Sequence, residues 1–156
     1  MPYPQKGVAT GVLFGNKEGT TELSPSLSVI RNACIKEEDF AKFDVTLESW
    51  AKQGILLLNS ALTCEMNNPK SHTMLWRPFI SKFLAKLSNS EPGLVYVLFG
   101  DQAKTFRPYI NTNVNSIIEV RHPAYYARLG LNMPEWIFPF INKLMVDKYG
   151  DPIKWC

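Results

Sequence analysis

Polar side chains that can form hydrogen bonds or transfer protons directly follow short apolar runs of the sequence. Asn59 follows four consecutive aliphatic residues, Gly100 follows a second apolar run, and His122 closely follows a third. A carboxamide such as Asn59 donates and accepts hydrogen bonds at once, so it can read the edge of a bound ligand. A histidine such as His122 can donate to an oxygen on which negative charge develops. The alternatives are an asparagine that caps the following turn and a histidine that bonds to local backbone.

The apolar runs that precede these residues predict three strands. Ile55–Leu58 and Leu94–Phe99 are uninterrupted apolar runs without a helical period, which is typical of strands covered on both faces. Ser116–Val120 is predicted as a third, shorter strand. Such strands belong to parallel sheets, whose carboxyl ends lie at one edge, where ligands bind in open α/β folds. We therefore expect the polar residues that follow the three strands to converge in one crevice.

Helix signals alternate with these strands. Ser24 followed by Pro25 is typical of a helix start, and further helices are predicted over residues 46–53, 74–87 and 134–149. Apolar residues of the last two helices are expected to face the core: Phe79, Ile80, Phe83, Leu84 and Leu87 in one, and Trp136, Phe140 and Leu144 in the other. The predicted fold class is α/β, a parallel sheet flanked by helices, with residues 1–156 forming a single domain.

Composition narrows the class of protein. The 156 residues are 46% hydrophobic and carry a net charge of +3, which suits a globular domain and is only mildly basic. The three cysteines are scattered without a CxxC pair, which favours free thiols in a reducing, cytoplasmic setting. No apolar run approaches the ~20 residues that span a bilayer. Phosphate-loop and paired-histidine motifs are absent, so the sequence predicts no nucleotide cofactor and no metal site.

Taken together, these segments resemble the uracil-DNA glycosylase family along nearly the whole chain. Each matching segment carries a family motif, and the motifs occur in the family's order. They are Pro2-Tyr3, Gly11–Phe14, Ser24–Leu27, Trp50–Asn59 with Leu62-Thr63, Ser71-His72 with Trp76, Leu98–Gly100 with Gln102–Lys104, His122-Pro123 and Pro152–Trp155. The resemblance implies hydrolysis of the N-glycosidic bond of a uracil flipped out of DNA, without a cofactor or metal.

The resemblance also implies a set of residues that bind the base. Asn59 would accept a hydrogen bond from uracil N3–H and donate to O4, an arrangement that cytosine would not match. Phe14 would stack on the base, and Tyr3 would exclude the methyl group of thymine. His122 would donate to uracil O2 as negative charge builds on the departing base.

A second set of residues would hold the DNA. By resemblance, Ser24, Pro25, Ser26 and the backbone around Gly100 would contact phosphates, which position a strand without reading its sequence. Tyr126 stands where the family inserts an apolar wedge into the base stack. The implied partners are single- or double-stranded DNA that contains uracil and a protein inhibitor of the glycosylases.

Departures from the family pattern lead to a second hypothesis. Met1 stands in the place of the aspartate that activates water, and a thioether can neither take a proton nor stabilise a cation. Asp101 and Ala124 replace two family serines, and Pro4 replaces a histidine. The sequence therefore predicts an impaired glycosylase or, alternatively, a non-catalytic relic that binds DNA or uracil or sequesters an inhibitor.

The family's first strand precedes the segment that matches Pro2-Tyr3, and this sequence lacks it. Its absence would leave backbone groups of the neighbouring strands unpaired, at a cost of about 1–3 kcal/mol for each buried group. Either the remaining strands close up, or another chain supplies a strand and an oligomer completes the sheet.

Overall fold

Two strands and six α-helices make up the regular structure of the chain, and a computed structural model describes all of residues 1–156. The strands are β1 (Val95–Phe99) and β2 (Ser116–Val120). The helices are α1 (Pro25–Cys34), α2 (Glu48–Lys52), α3 (Thr73–Ser90), α4 (Gly100–Lys104), α5 (Pro123–Leu129) and α6 (Ile137–Tyr149). Short 3₁₀ helices span Glu37–Lys42 and Arg107–Tyr109.

The two strands pair in parallel, as their sequences predict. Val95 lies opposite Ser116 and Phe99 lies opposite Val120, so the carboxyl ends of β1 and β2 are aligned. The residues that follow them, Gly100 on one side and Arg121-His122 on the other, therefore leave the sheet at the same edge. This α/β arrangement of a parallel sheet with flanking helices confirms the predicted fold class.

The prediction of a strand at Ile55–Leu58 is wrong, because this segment joins no sheet. Leu57 accepts a hydrogen bond from the backbone of Leu13 over 3.2 Å, and Ile55 donates to Trp50 over 3.3 Å. The side chain of Leu56 is 61% exposed, whereas a strand covered on both faces would bury it. An apolar run favours an extended backbone, but a sheet also needs a neighbour with free donors and acceptors.

Two groups of residues form compact units, each with its own core. Residues 1–4 and 59–122 form the first unit, which holds the sheet, and residues 5–58 and 123–156 form the second. In the second unit, α1 packs against α5 and α6 and buries Leu27 and Ile30. The prediction of a single domain over residues 1–156 stays a prediction.

Helix α3 begins and ends close to its predicted bounds, but only part of its apolar stripe is buried. Ile80 and Leu84 face the core, while Phe79 is 52% exposed. The rings of Phe79 and Phe83 instead stack on each other with centroids 6.3 Å apart. The expectation that Phe79 is a core residue is therefore wrong, since the buried line runs one position further along the helix.

Helix α6 shows a similar shift of phase. It begins at Ile137, so Pro139 lies in its first turn, where no intrahelical hydrogen bond is lost. The buried residues of α6 are Ile137, Phe138 and Ile141, whereas Trp136 is 53% and Phe140 41% exposed. The predicted core face of Trp136 and Phe140 is therefore wrong. None of the helices is long and apolar enough to cross a membrane.

Candidate functional site

The side chain of Asn59 faces a hydrogen-bond donor. The α-amino group of Met1 donates to Oδ1 of Asn59, and the Met1 thioether lies 3.6 Å from Thr73 Oγ1. Burial lowers the pKa of this amino group to about 6, and the Cys64 thiol opposes the shift. Asn59 thus accepts a hydrogen bond from a nitrogen outside the turn that follows it, so it is not a simple turn cap.

Residues 1–4 run alongside the segment that begins at Asn59, and they hold Tyr3 between two anchored prolines. The carbonyl of Pro2 lies 3.8 Å from the Cys64 thiol, which donates to it. The carbonyl of Pro4 accepts from the backbone N–H of Asn67 over 3.0 Å. Tyr3 is therefore fixed along the chain, and its half-buried ring belongs to the same unit as Asn59.

Gly100 and His122 meet at the carboxyl edge of the sheet. Gly100 has a φ of +84°, and a Cβ added to it would lie 2.9 Å from Cβ of His122. Only a residue without a side chain allows this approach, because real Cβ atoms need about 3.5–4.0 Å between carbons. The structure therefore gives Gly100 a role in placing the exposed His122. Its predicted contact with phosphate stays a prediction.

The side chain of Asp101, which follows Gly100, is directed to solvent. The carboxylate is fully exposed and lies 3.4 Å from Nζ of Lys104. An exposed pair of this kind contributes little to stability. Because Lys104 is beside it, the charge of Asp101 is locally balanced.

A hydrogen-bonded trio that sequence patterns did not predict lies close to Asn59 in the chain. The indole N–H of Trp76 donates to Thr63 Oγ1 over 2.7 Å, and Thr63 Oγ1 lies 2.8 Å from Nδ1 of His72. An indole only donates, so the Thr63 hydroxyl can give its proton to His72. The trio ties the segment after Asn59 to the start of α3.

Phe14 belongs to the second unit and has an unusual backbone. Its φ is +65°, in the left-handed region that non-glycine residues rarely adopt, at a cost of about 1–3 kcal/mol. Its side chain is only 8% exposed. The next residue must be glycine, because a Cβ at Gly15 would lie 2.5 Å from the backbone oxygen of Thr46. Strain of this kind is commonly retained where a side chain has to be aimed.

The segment that leads to Asn59 is held by a capped helix. The carboxylate of Asp44 accepts from the backbone and hydroxyl of Thr46 and from the backbone N–H of Ser49. Partial burial works against ionisation, but these bonds lower the pKa of Asp44 to about 2. In α2, Trp50 is buried and its indole donates to the carbonyl of Trp155 over 3.1 Å. The end of α2, from which the chain continues toward Asn59, is thereby held within the second unit.

The predicted DNA-contacting residues of the second unit lie at the starts of two packed helices. Ser24 caps α1 by accepting from Leu27 N–H over 3.4 Å, and Pro25 is the first helical residue, as predicted. Ser26 follows in the same turn. Tyr126 lies in α5, which packs against α1. That these four residues contact DNA stays a prediction.

Tyr125 is the residue that sequence reasoning missed. Its ring meets that of Tyr126 edge to face, with centroids 5.4 Å apart and planes at 87°. Both side chains are half-buried. The available signal was two consecutive tyrosines between two alanines. Helical spacing puts consecutive residues on different faces, so it does not predict that their rings touch.

No cluster of three or more His, Cys, Asp or Glu side chains in residues 1–156 could hold a metal ion. All three cysteines are free, and Cys156 is exposed. Burial raises the pKa of the Cys34 thiol to about 12. Such a thiol is almost entirely protonated at neutral pH, which argues against a nucleophilic role for Cys34.

Comparison with known proteins gives consistent matches. The family model of the uracil DNA glycosylase superfamily matches residues 4–145. The chain is 39% identical to the uracil-DNA glycosylase of Campylobacter lari over 99% of its own length and 67% of that protein. It is 32% identical to the enzyme of Mesomycoplasma hyopneumoniae over 99% of its length and 70% of that protein.

Solved structures show the same fold. The crystal structure of mimivirus uracil-DNA glycosylase superposes with a TM-score of 0.83 at 22% identity, covering 99% of this chain and 64% of that one. A mimivirus variant in complex with UGI superposes with a TM-score of 0.82. The chain thus spans a little under two thirds of these structures.

Proposed function

Because the chain belongs to the uracil DNA glycosylase superfamily, we propose that it binds uracil flipped out of DNA and serves uracil excision in DNA repair. The observation that carries the proposal is the carbonyl of Asn59, which accepts a hydrogen bond from the Met1 amine. Uracil presents an N–H donor at N3. Oδ1 of Asn59 can accept from that donor as it accepts from the Met1 amine.

The remaining base contacts follow from the same proposal. Tyr3, anchored by the prolines on each side, limits the space beside the base and excludes thymine's methyl group. The aromatic ring of Phe14 stacks on the base. His122, placed by the close approach of Gly100, donates to O2 of the departing uracil. Negative charge on that oxygen would be stabilised by a preorganised donor.

Hydrolysis needs a water oxygen to bond to C1′ of the deoxyribose while the bond from C1′ to N1 of uracil breaks. The electrons of the broken bond go to the base, and the proton that the water loses passes to a neighbouring carboxylate or to solvent. Met1 stands where the family has that carboxylate, and its thioether, which accepts from Thr73, cannot take the proton. We therefore propose that this chain binds uracil more readily than it hydrolyses the glycosidic bond.

DNA is held by the second set of residues. Ser24, Ser26 and Pro25 lie at the start of α1, and Tyr126 lies in the adjacent helix α5. In the proposal, the first three contact the phosphates and Tyr126 enters the base stack to occupy the gap left by the flipped nucleotide. Both single- and double-stranded uracil DNA are substrates of this arrangement.

A second candidate function is favoured by Met1, whose amine meets Asn59 and whose side chain carries no carboxylate. A protein with the pocket but without the acid would bind uracil DNA, or a protein inhibitor of glycosylases, without turnover. One mimivirus relative forms a complex with UGI, which makes an inhibitor of this type the natural probe. The segment around Leu56 is exposed and joins no sheet, which supports the further proposal that a second chain supplies a strand.

The test measures binding and hydrolysis separately. Fluorescence anisotropy would give the affinity of the chain for single-stranded oligonucleotides containing one uracil, thymine or cytosine, and gel analysis would give uracil release. We expect a preference for uracil that Asn59→Ala removes and that Asn113→Ala, an exposed asparagine, leaves intact. Equal affinity for all three bases would refute the proposal.

A gain-of-function variant separates the two candidate functions. Placing aspartate at position 1, after an added initiator methionine, should raise the rate of uracil release by about 10²–10⁴-fold if Met1 is the cause of slow hydrolysis. An unchanged rate together with intact uracil affinity would favour the binding protein. Rapid release by the unmodified chain would refute impairment.

A further inference from the structure

The two tyrosines of α5 form a pair whose geometry is not required by the helix. Successive helical residues point about 100° apart, so neighbouring rings normally diverge. Here the ring centroids of Tyr125 and Tyr126 are 5.4 Å apart and the planes are at 87°. This lies within the edge-to-face geometry that aromatic rings favour. One ring therefore leans across the helix onto the other.

The backbone under this pair is fixed. Pro123 at the start of α5 is buried, and α5 packs along α1. At the other end, the carbonyl of Tyr126 accepts from the backbone N–H of Leu131 over 2.9 Å, and Gly130 adopts a φ of +63°. The main freedom left to the Tyr126 side chain is rotation about its own bonds, and the ring of Tyr125 limits that rotation.

The sequence on both sides of the pair is basic, which suits a nucleic-acid backbone. From Arg121 to Pro134 the sequence contains two arginines, Arg121 and Arg128, and no acidic residue. Both arginines are exposed. A polyanionic strand is attracted to such a segment regardless of its sequence.

We propose that Tyr125 is a positioning residue that matters for duplex DNA. Its ring holds the Tyr126 ring at the angle from which Tyr126 enters the base stack. This inference rests on the proposed function, in which Tyr126 fills the gap left by a flipped nucleotide. Tyr125 does not enter the stack itself. Its contribution is preorganisation: the Tyr126 ring loses less rotational freedom on binding because it is already confined.

The consequence is a selective effect on duplex DNA. In a single strand no paired base holds the uracil in place and no duplex gap has to be filled, so the wedge contributes little. Tyr125→Ala should weaken binding to duplex DNA containing a U·A pair by about 3- to 10-fold, the range expected for loss of one aromatic pair. Binding to the same single strand should change by less than about twofold. Tyr125→Phe keeps the ring and should keep duplex binding.

The experiment uses the full chain and oligonucleotides with 2-aminopurine next to the uracil. Its fluorescence reports unstacking of the neighbouring base, and anisotropy of a labelled strand reports affinity, so neither readout needs hydrolysis. Tyr126→Ala and the double variant with Tyr125→Ala complete the cycle. Tyr149→Ala, at a tyrosine that is 53% exposed at the end of α6, provides the matched truncation.

Four outcomes decide the inference. A duplex-specific loss in Tyr125→Ala that disappears in the Tyr126→Ala background supports it. Equal losses on single and double strands would show a structural role and overturn it, as would an additive loss in the double variant, which would place Tyr125 directly on DNA. If the unmodified chain does not prefer uracil in single strands, the proposed function fails and this inference fails with it.

Discussion

Replacing Gly100 by alanine should displace His122. The new Cβ would lie 2.9 Å from Cβ of His122, whereas carbon atoms in contact stay about 3.5–4.0 Å apart. The backbone at residue 100 or at His122 must therefore move by roughly 0.6–1 Å. In addition, alanine at a φ of +84° costs about 1–2 kcal/mol of folding free energy. The substitution thus has a conformational cost and a separate effect on the imidazole.

Gly150→Ala separates these two effects. Gly150 has the same φ of +84°, but no atom lies within 4 Å of an added Cβ. Both variants should lose about 1–2 kcal/mol in urea unfolding. Only Gly100→Ala should weaken uracil binding, by about 3- to 10-fold for one misplaced hydrogen bond. Any measurable rate of uracil release should fall by up to about 10²-fold.

NMR can observe the displacement directly, since the chain has only two histidines. The imidazole signals are assigned with His72→Gln, and we expect Gly100→Ala to move those of His122 and not those of His72. Unchanged His122 signals with wild-type uracil affinity would refute the reasoning. So would an equal loss of affinity in Gly150→Ala, because backbone strain alone would then explain it.

Three other substitutions or reactions test the structure. Since the pKa of Asp44 is about 2 in the fold against 3.8 as its ordinary value, its stabilisation is present above about pH 4 and lost as the pH falls toward 2. Asp44→Asn should cost about 1 kcal/mol in urea unfolding at pH 7, allowing for its exposure, and flatten that acid response. Gly15→Ala should lower the Tm, because the new Cβ would lie 2.5 Å from the backbone oxygen of Thr46. It should also lower uracil affinity, because the displaced turn carries Phe14; an unchanged affinity would show that Phe14 does not contact the base. Iodoacetamide should label Cys156 well before Cys34, whose thiol pKa is raised to about 12 by burial, as peptide mass mapping would show.

Local chemistry was enough to predict most elements. The Ser24-Pro25 start of α1, the uninterrupted apolar run of β1 and the shorter run of β2 depend on residues adjacent in sequence, and all three are confirmed. Asn59 could be identified as a candidate because a polar residue after an apolar run is visible in the sequence. Its hydrogen bond to Met1 joins residues 58 positions apart, so it could not be predicted from the sequence.

Relations between distant segments account for the errors. Ile55–Leu58 has the composition of a buried strand, but pairing depends on a neighbour that composition does not reveal. In α6, the buried face lies about 100° around the helix from the predicted stripe. Choosing between the two requires knowing which element the helix packs against. The fit of Gly100 against His122 was hidden for the same reason.

The hydrogen bond between Trp50 and Trp155 can form only late in synthesis of the chain. The two residues are 105 positions apart, and a ribosome adds about 5–20 residues per second. The acceptor of the Trp50 indole is therefore synthesised roughly 5–20 seconds after Trp50 itself. Gln53 waits as long for its two bonds to Lys154. During that interval α2 lacks the hydrogen bonds to residues 154 and 155, and the aliphatic segment before Asn59 follows a helix that is not yet held.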